Sequence, residues 1–317
     1  MIQLKISGRL GNQMFQYAVV QDYIKKNNIK DQLIITTDRL NQHKTDKDFK
    51  VVLDKLGIKD YKLCSKTKMT FKQSLIDFIY KVNVKIIRIN AKIHKRKLQK
   101  KDWVFFKKLM QKMLNKNGLY YYIPTMNKFY DSKSENIIFF GLFESMNLMN
   151  ECDLKKLRKL YVVKNTYNEA DSKLFDIIKS EESICVTIRR GDFLIPEFRG
   201  SHYICTPEYF TKAIETMNRS LKLEHKEPRY IVFSDDVEWC KNNMVFPDNT
   251  LYESGKNTLA QKIEMMSSCK NFIISNSTFS WWVQQLSENE NKKVIAPKKW
   301  NNFSYCDDLY SKDWILI

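Results

Sequence analysis

Ile184-Cys185-Val186-Thr187-Ile188-Arg189-Arg190-Gly191-Asp192 places a short apolar strand directly before two arginines and a turn. The same order returns at Tyr230–Asp236 and at Asn271–Thr278, and Val294–Ala296 predicts a fourth strand. The helices between them are predicted over Tyr203–Met217, opened by Thr206-Pro207, over Val237–Asn242, and around Trp281 and Trp282. Strands that alternate with helices favour a parallel sheet covered by helices, with ligands bound at the carboxyl ends of the strands.

The chain opens with a related unit, a strand over Ile2–Ile6, a turn, and a helix from about Asn12 to Lys26. The glycine spacing in Ser7–Gly11 permits a tight turn. Backbone N–H groups at a helix start, together with Asn12 and Gln13, are suited to holding a polar ligand. The spacing matches neither a dinucleotide fingerprint nor a P-loop, so an ordinary strand–helix turn is the alternative.

Length and composition limit the class of protein. The 317 residues, 43% of them hydrophobic, suffice for about two globular domains. The longest apolar run, Ile137–Phe143, falls far short of the ~20 residues that span a bilayer, and Met1–Ile6 lacks the apolar core of a signal peptide. Seven cysteines, each at least 20 residues from the next, argue against structural zinc and a disulfide framework. We therefore expect a cytoplasmic protein.

The positive charge is concentrated in one segment. Of the net charge of +18, +12 lies in residues 81–116, which hold 13 Lys or Arg and one acid, Asp102. A helix beginning near residue 71 is predicted to carry one apolar stripe, formed by Leu75, Ile79, Val82, Ile86, Ile89 and Ile93. Either this stripe packs on the domain with the lysines solvated, or it forms a basic amphipathic surface that rests on anionic lipid. A second apolar set beside the lysines favours the membrane, and it consists of Trp103, Phe105, Phe106, Leu109, Met110 and Met113.

Polar residues at the predicted strand ends carry the chemistry. Arg189 and Arg190 suit a pyrophosphate, because guanidinium groups bind it with paired hydrogen bonds and keep their charge at every working pH. A surface ion pair with Asp192 is the alternative. Asp235 and Asp236 either cap a helix or contact a ligand. A metal site is the other interpretation, although the sequence offers no cluster of His or further acids to complete it.

A third polar group stands where the helix around the two tryptophans begins. An amide and three hydroxyls lie there at the positive end of a helix dipole, and they belong to Asn276, Ser277, Thr278 and Ser280. This arrangement predicts an anion-binding turn. Trp281 and Trp282 occupy successive helical positions and point in different directions, so we expect one of them in the core.

Four motifs together resemble the bacterial α-1,2-fucosyltransferase family. They stand in the order and at the spacing of that family, and they are Gly8-Arg9-Leu10-Gly11-Asn12-Gln13-Met14-Phe15-Gln16-Tyr17-Ala18, Ile188-Arg189-Arg190-Gly191-Asp192-Phe193, Phe233-Ser234-Asp235-Asp236, and Met266–Lys270 with Asn276–Trp282. The resemblance implies an α/β, GT-B-like architecture, with two Rossmann-like domains facing a cleft. We place an N-terminal acceptor-side domain at 1–165, with a basic helical insertion at about 71–116, and a C-terminal donor domain at 166–317.

The resemblance also implies an inverting transfer, in which an acceptor hydroxyl attacks the anomeric carbon of GDP-β-L-fucose as GDP leaves. Arg189 first, then Arg190, and Asn12 across the cleft, are assigned to stabilising the charge that grows on the β-phosphate. The donor-binding residues are assigned as Gly11, Gln13, Asp192, Asp235, Asp236, Asn276, Ser277, Thr278 and Ser280. Because the arginines supply positive charge at the leaving group, neither a metal nor another cofactor is expected.

Two places depart from the family pattern. Thr187 stands where the family usually has the His of His-x-Arg-Arg-x-Asp, so an imidazole near the donor is lost. Gly141–Ser145 reads Gly-Leu-Phe-Glu-Ser where relatives have Gly-Tyr-x-Gln-Ser, which makes Glu144 an acceptor-side candidate. Glu144 and Asp192 are the candidates for general base. These departures leave open a donor other than fucose.

The sequence therefore predicts a glycosyltransferase that moves L-fucose to the 2-hydroxyl of a galactoside in surface glycan or O-antigen synthesis. A related transferase for another nucleotide sugar stays open, and so does a non-catalytic polyanion-binding protein. Nucleic acid is not expected, because the aromatic residues of 81–116 follow helical core spacing and form no base-stacking platform. The expected partners are a nucleotide sugar and a glycan or glycolipid acceptor, with peripheral contact to the anionic inner face of the plasma membrane through 81–116.

Overall fold

The computed structural model describes residues 1–40, 50–95, 109–122, 129–149, 152–203, 205–302 and 309–317, and these form two compact units. The first comprises the described residues of Met1–Asp153 with Leu309, and the second those of Leu154–Asn302 and Tyr310–Ile317. The domain boundary predicted from the sequence, at residue 165, lies C-terminal to the start of the second unit at Leu154. Residues 154–161 go with the second unit because Tyr161 packs edge-on against Trp282, with ring centroids 5.3 Å apart.

A five-stranded parallel sheet forms the centre of the first unit. Its strands are β1 (Ile2–Lys5), β2 (Leu33–Thr36), β3 (Tyr61–Cys64), β4 (Leu119–Tyr121) and β5 (Ile137–Phe140), in the spatial order β3-β2-β1-β5-β4. Its helices are α1 (Leu10–Lys26), α2 (Phe71–Ile93) and the short α3 (Met146–Met149), with a 3₁₀ turn at Leu53–Leu56 and a helical segment at 109–116. Strands β1, β4 and β5 are almost continuously buried, as expected for a parallel sheet covered on both faces.

A six-stranded parallel sheet forms the centre of the second unit. Its strands are β6 (Glu182–Ile188), β7 (Pro228–Ser234), β8 (Leu251–Tyr252), β9 (Asn271–Ile273), β10 (Val294–Ala296) and β11 (Ile315–Leu316), in the order β11-β10-β9-β6-β7-β8. Its helices are α4 (Leu154–Tyr161), α5 (Glu169–Ser180), α6 (Pro196–His202), α7 (Pro207–Lys222), α8 (Val237–Asn243), α9 (Leu259–Ser267) and α10 (Thr278–Gln285), with a 3₁₀ turn at Gly191–Leu194. The α/β class, with two Rossmann-like parallel sheets, is therefore confirmed.

Two local predictions need correction. The helix predicted from Tyr203 begins at Pro207, with Thr206 as its N-cap, and the separate helix α6 precedes it. Proline at the first helical position sets this start, since its missing N–H costs nothing there. Both Trp281 and Trp282 are fully buried, not one of them, because α10 is covered on more than one side.

The apolar stripe of α2 points away from the first unit. The packed interpretation of this stripe is wrong, because Leu75, Ile79, Val82, Ile86, Ile89 and Ile93 are 38–71% exposed. The buried residues of α2 are instead Gln73, Ile76, Asp77 and Ala91. Of the second apolar set, Trp103, Phe105 and Phe106 lie outside the described residues, and Leu109 is exposed. Met110 and Met113 instead pack against the core cluster of the first unit, so they are not part of an outward surface. In the part of the chain that the structure describes, no helix has both the length and the hydropathy needed to cross a bilayer.

Candidate functional site

The predicted site residues of the second unit meet at one edge of its sheet. The chain runs from β6 to β7 and β8 on one side, and then crosses to β9 and β10 on the other side of β6. The carboxyl ends of β6, β7 and β9 therefore adjoin at the point where the strand order reverses. Open α/β sheets bind ligands at this switch point. The three segments that follow these ends are 189–192, 234–236 and 275–280.

Arg189 is held between two carboxylates. Its Nε and Nη2 donate to Oδ1 of Asp192 over 3.0 and 2.6 Å, and its Nη1 lies 2.7 Å from Oδ2 of Asp235. A guanidinium carries five N–H groups, so one N–H remains on each terminal nitrogen without an acceptor among the described residues. The side chain is 27% exposed. Arg189 is thus fixed in place while two of its donors stay available to an anion.

Arg190 is far more enclosed than Arg189. Its guanidinium carbon lies 3.2 Å from the ring centroid of Trp239, and its Nε donates to Oδ2 of Asp236 over 3.1 Å. Stacking on an aromatic face and pairing with a carboxylate both stabilise a guanidinium that has left water. Because only 10% of the Arg190 side chain is exposed, its main effect in this geometry is to shape the turn.

Asp235 joins the two arginines. Its Oδ1 accepts the backbone N–H of Arg190 over 2.9 Å, while its Oδ2 pairs with Arg189. Gly191 makes room for this carboxylate, because a Cβ at that position would lie 2.6 Å from Oδ2 of Asp235. The glycine of the arginine motif is therefore required by close approach of a side chain.

Asp236 is the N-cap of α8. Its Oδ1 accepts the N–H of Trp239 over 3.3 Å, so the capping interpretation of this acid is confirmed. Both acids after β7 thus spend their oxygens on arginines or on backbone N–H groups. Among the described residues, no group of three or more His, Cys, Asp or Glu is arranged to hold a metal ion.

The turn before α10 has an inner and an outer half. Asn276 faces inward, since both amide N–H groups donate over 2.8 Å to the carbonyls of His202 and Trp300. Ser280 is also buried, with its hydroxyl 3.2 Å from that of Ser275. These two side chains therefore support the turn instead of facing a ligand.

Ser277 and Thr278 form the outer half of this turn and are half-buried. Ser277 is the N-cap of α10, yet its side chain does not cap the helix. The first N–H groups of a helix have no partner within the helix, and an N-cap serine usually satisfies one of them. The start of α10 is thereby left suited to an anion.

Thr187 stabilises the same edge of the sheet. Its hydroxyl accepts the backbone N–H of Ser275 over 3.0 Å and is almost fully buried. The residue thereby fastens the segment after β9 to strand β6. Thr187 thus has a structural role at the position where the resembling family carries histidine.

The first unit repeats this arrangement at its own switch point. Strands β2 and β5 flank β1, and Lys5 pairs with Phe140 in the register of β1 and β5. The turn 6–9 and the segment 141–145 therefore begin side by side at the carboxyl edge. Glu144 lies in the segment 141–145. Asn12 lies in helix α1, which follows the turn 6–9.

Asn12 and Gly11 lie in the first turn of α1, which begins at Leu10. Gly8 has a φ of +73°, and a Cβ there would lie 2.5 Å from Nδ2 of Asn12. Only glycine adopts this conformation at low cost, and its missing side chain admits the amide of Asn12. Asn12 is half-buried, and Gly11 is buried.

Gln13 is a structural residue. It is fully buried, donates to the carbonyls of Gly8 and Lys50 over 3.0 and 2.8 Å, and accepts the N–H of Val52 over 3.0 Å. Gln16 holds Ser7 in the same way, through both its N–H and its carbonyl. The side-chain amides of Gln13 and Gln16 thus hold the turn in place. Both N–H groups and the oxygen of Gln13 already bond within the protein, so this side chain is not available to bind the nucleotide sugar.

Glu144 lies in a backbone of unusual conformation. Gly141 has a φ of +139°, and Phe143, which is fully buried, has a φ of +54°. Non-glycine residues with positive φ are strained, and such strain clusters at functional sites. The carboxyl of half-buried Glu144 has no hydrogen-bond partner among the described residues, and burial raises its pKa from 4.5 to about 7.

Comparison with known proteins decides the family. The profile of glycosyl transferase family 11 matches residues 1–317, the whole chain. The chain belongs to glycosyl transferase family 11. It is similar to an alpha-1,2-colitosyltransferase of Escherichia coli, with 29% identity over 99% of this chain and 97% of that protein. It is also similar to the O-antigen biosynthesis glycosyltransferase WbnK of Escherichia coli, with 28% identity over 98% and 99%.

Among solved structures, NodZ alpha-1,6-fucosyltransferase from Bradyrhizobium, co-crystallized with GDP, aligns with a TM-score of 0.45 and 11% identity. The alignment covers 90% of this chain and 92% of that chain. Membership of family 11 makes the chain a glycosyltransferase.

The site of this family 11 glycosyltransferase includes one residue that no sequence motif marks, Trp239. Trp239 stacks on Arg190, although the two stand 49 positions apart in the sequence. A signal was present in the spacing, because Trp239 comes three residues after the capping Asp236, where a helix returns to the same face.

Proposed function

We propose that this family 11 glycosyltransferase transfers L-fucose from GDP-β-L-fucose, with inversion, to the 2-hydroxyl of a galactoside acceptor in surface glycan or O-antigen synthesis. The observation that carries the proposal is Arg189, which two carboxylates fix at a sheet switch point with two donors left over. Relatives named for α-1,2 transfer and O-antigen biosynthesis align over nearly the whole chain and support the proposed linkage and the O-antigen setting.

The leaving group is the part of the reaction that the second unit serves. Negative charge develops on the β-phosphate as the glycosidic bond to the nucleotide breaks. Donors that are already in place stabilise this charge more than they stabilise the bound substrate, which lowers the barrier. Arg189 supplies a preoriented cation, and Ser277 and Thr278 with the first turn of α10 supply hydroxyls and N–H groups. Arg190, Asp192, Asp235 and Asp236 keep this group of donors in position.

Glu144 is assigned as the general base. A base works best when its pKa lies near the working pH, and the pKa of Glu144 is raised by burial to about 7. Asp192, the other candidate, already accepts two hydrogen bonds from Arg189. Its carboxylate is therefore better suited to orienting the arginine than to taking a proton. Asn12 is assigned as a further polar contact to the substrate.

The same site favours transfer without a divalent metal. A metal ion commonly neutralises a diphosphate leaving group. Here Arg189 and the start of α10 offer positive potential, and Asp235 and Asp236 already pair with arginines. We assign no metal ligand and no other cofactor to this chain.

A nucleotide-activated colitose is the second candidate for the donor. The relative with 29% identity is named a colitosyltransferase, and Thr187 of this chain spends its hydroxyl on the backbone of Ser275. A buried threonine that is already hydrogen-bonded has less to offer a sugar hydroxyl than a histidine has. Loss of such a contact would favour a donor sugar with fewer hydroxyls.

One experiment separates these possibilities. The purified chain is incubated with GDP-fucose, the GDP conjugate of colitose, GDP-mannose and UDP-galactose, each with a galactoside acceptor and with EDTA or magnesium, and nucleotide release is measured. We expect release from GDP-fucose, equal with and without EDTA, and a product linked at the 2-hydroxyl. Release only from the GDP conjugate of colitose would show that colitose, and not fucose, is the sugar transferred. Strict magnesium dependence would refute the metal-free mechanism. A chain that releases no nucleotide from any donor would contradict the transferase proposal.

The proposed place of action is the inner face of the plasma membrane, where the enzyme would meet lipid-linked glycan acceptors. The excess of +12 in residues 81–116 supports this placement, because the cytoplasmic leaflet attracts basic segments.

A further inference from the structure

Helix α2 packs on the first unit through one side only. The packed side is anchored by polar groups. Nε2 of Gln73 donates to the carbonyls of Asn117 and Asn136 over 2.9 and 2.8 Å, and Asp77 accepts the hydroxyl of Tyr121 over 2.8 Å. Ile76 adds an apolar contact to the cluster around Leu119 and Ile138. These anchors determine which way α2 faces.

The opposite side of α2 is apolar and uncovered. Eight large residues there are 38–88% exposed, namely Phe71, Leu75, Phe78, Ile79, Val82, Ile86, Ile89 and Ile93. At about 100° of rotation for each residue, they fall within an arc of about 100°, and the helix is about 34 Å long. Soluble proteins rarely leave a continuous apolar strip of this kind in water, so the outward face of α2 requires an occupant.

Charge identifies the occupant. Lys85, Arg88 and Lys92 follow one flank of the apolar strip, and no described carboxylate pairs with them. Asp77 is the only acid in α2, and it is turned inward, where it pairs with Lys81 and Tyr121. A second copy of this chain would place its own α2 cations against the same cations, Lys85, Arg88 and Lys92. An anionic bilayer surface offers both an apolar boundary and negative charge.

We propose that the outward face of α2, Phe71–Ile93, lies in the plane of an anionic lipid surface, with its apolar strip in the acyl boundary and its cations at the headgroups. This proposal rests on the membrane placement in the proposed function and adds the surface that makes the contact. The lipid contact then begins at residue 71, ten residues before the basic segment 81–116.

Vesicle binding tests the inference. The full chain is sedimented with vesicles of equal parts phosphatidylglycerol and phosphatidylcholine, and with vesicles of phosphatidylcholine alone. We expect binding to the first vesicles only. Ile86→Glu with Ile89→Glu should abolish it, and Lys85→Gln with Arg88→Gln and Lys92→Gln should weaken it by about fivefold for each charge removed.

Matched controls use similar residues on the second unit. Leu223 and Val245 are 80% and 85% exposed, so Leu223→Glu with Val245→Glu repeats the apolar change elsewhere. Lys256→Gln with Lys298→Gln and Lys299→Gln repeats the loss of three charges at exposed positions. Both controls should bind anionic vesicles as the unchanged chain does. Equal binding by the α2 variants would overturn the proposal, and so would an unchanged chain that ignores anionic vesicles.

Oligomeric state and nucleotide release, measured on the same samples, distinguish lipid binding from self-association and from catalysis. A chain that is dimeric in solution, becomes monomeric on Ile86→Glu with Ile89→Glu, and ignores vesicles would overturn the lipid assignment in favour of a second copy. With a soluble acceptor, we expect the α2 variants to retain nucleotide release. An unchanged chain that binds anionic vesicles but releases no nucleotide from any donor would refute the transfer proposal and leave the lipid assignment supported.

Discussion

Gly191→Ala is the sharpest probe of how the site is held. The substitution adds one methyl group, and its carbon would lie 2.6 Å from Oδ2 of Asp235, where ordinary contact begins at 3.4 Å. The carboxylate must therefore move by about 0.8 Å. It cannot swing away freely, because one oxygen pairs with Nη1 of Arg189 at 2.7 Å and the other accepts the N–H of Arg190 at 2.9 Å.

The expected effect follows from these two contacts. Arg189 is held by Asp235 on one side and by Asp192 on the other, so moving one carboxylate tilts the guanidinium. Misplacing a positioned group by about 1 Å costs on the order of 10²-fold in rate, and we expect kcat to fall by about that factor. Weakening two charge-assisted hydrogen bonds should lower the free energy of unfolding by about 1–3 kcal/mol.

The assay is nucleotide release under saturating donor, with thermal unfolding measured on the same samples. Gly200→Ala is the matched control. It places the same methyl group on α6, where a Cβ meets nothing within 4 Å, and should leave kcat unchanged and the free energy of unfolding unchanged or raised by up to about 1 kcal/mol. Asp235→Asn, which keeps the size of the side chain but removes its charge, covers the case in which Gly191→Ala does not fold. Wild-type kcat in folded Gly191→Ala and in Asp235→Asn would refute the assigned role of Asp235.

Arg189→Ala should lower kcat by about 10²–10³-fold, as loss of a preorganised donor does, and Arg189→Lys should recover only part because it lacks the planar fork; unchanged kcat would rule out the assignment. Glu144 is protonated below its pKa of about 7 and ionised above it, so the rate should rise with pH through that value. Glu144→Gln should be slower and should lose this rise. A pH–rate profile of Glu144→Gln that keeps the rise would argue for another base. Gly141→Ala should destabilise the first unit by about 2–4 kcal/mol, since its Cβ would lie 2.3 Å from Cβ of Tyr122 at a φ of +139°; an unchanged urea midpoint would contradict this.

The positions of the motifs were predictable from the sequence because strand periodicity and helix-start signals are local. Arg189 and Asp235 were each expected directly after a strand, and that is where the structure has them. Parallel strands in an α/β sheet bring their carboxyl ends to one edge, so the meeting of these residues also followed from the pattern. The capping role of Asp236 was predictable for the same reason, since a cap depends on its nearest neighbours.

The direction of individual side chains was not predictable in this way. Asn276 and Ser277 are adjacent and equally polar, yet the first faces inward to His202 and Trp300 while the second faces outward. The partners of Asn276 come from segments 74 and 24 residues away. Gln13 is polar and stands at a helix start, which is why the sequence made it a ligand contact. Its amide instead bonds to the backbone of Lys50 and Val52, about 37–39 positions away.

The amino-acid sequence was enough to predict a parallel α/β protein with polar and charged segments at its strand ends, and to locate the excess charge. Which residues of those segments face outward, and which way α2 faces, depend on the packing of the folded chain. The hydrophobic period of α2 predicted that its isoleucine stripe would be buried or bound, but the packed face is the one with Gln73 and Asp77. The physical reason is that a buried polar group must find a hydrogen-bond partner, and the partners of these two residues, at Asn117, Tyr121 and Asn136, come from chain far from α2.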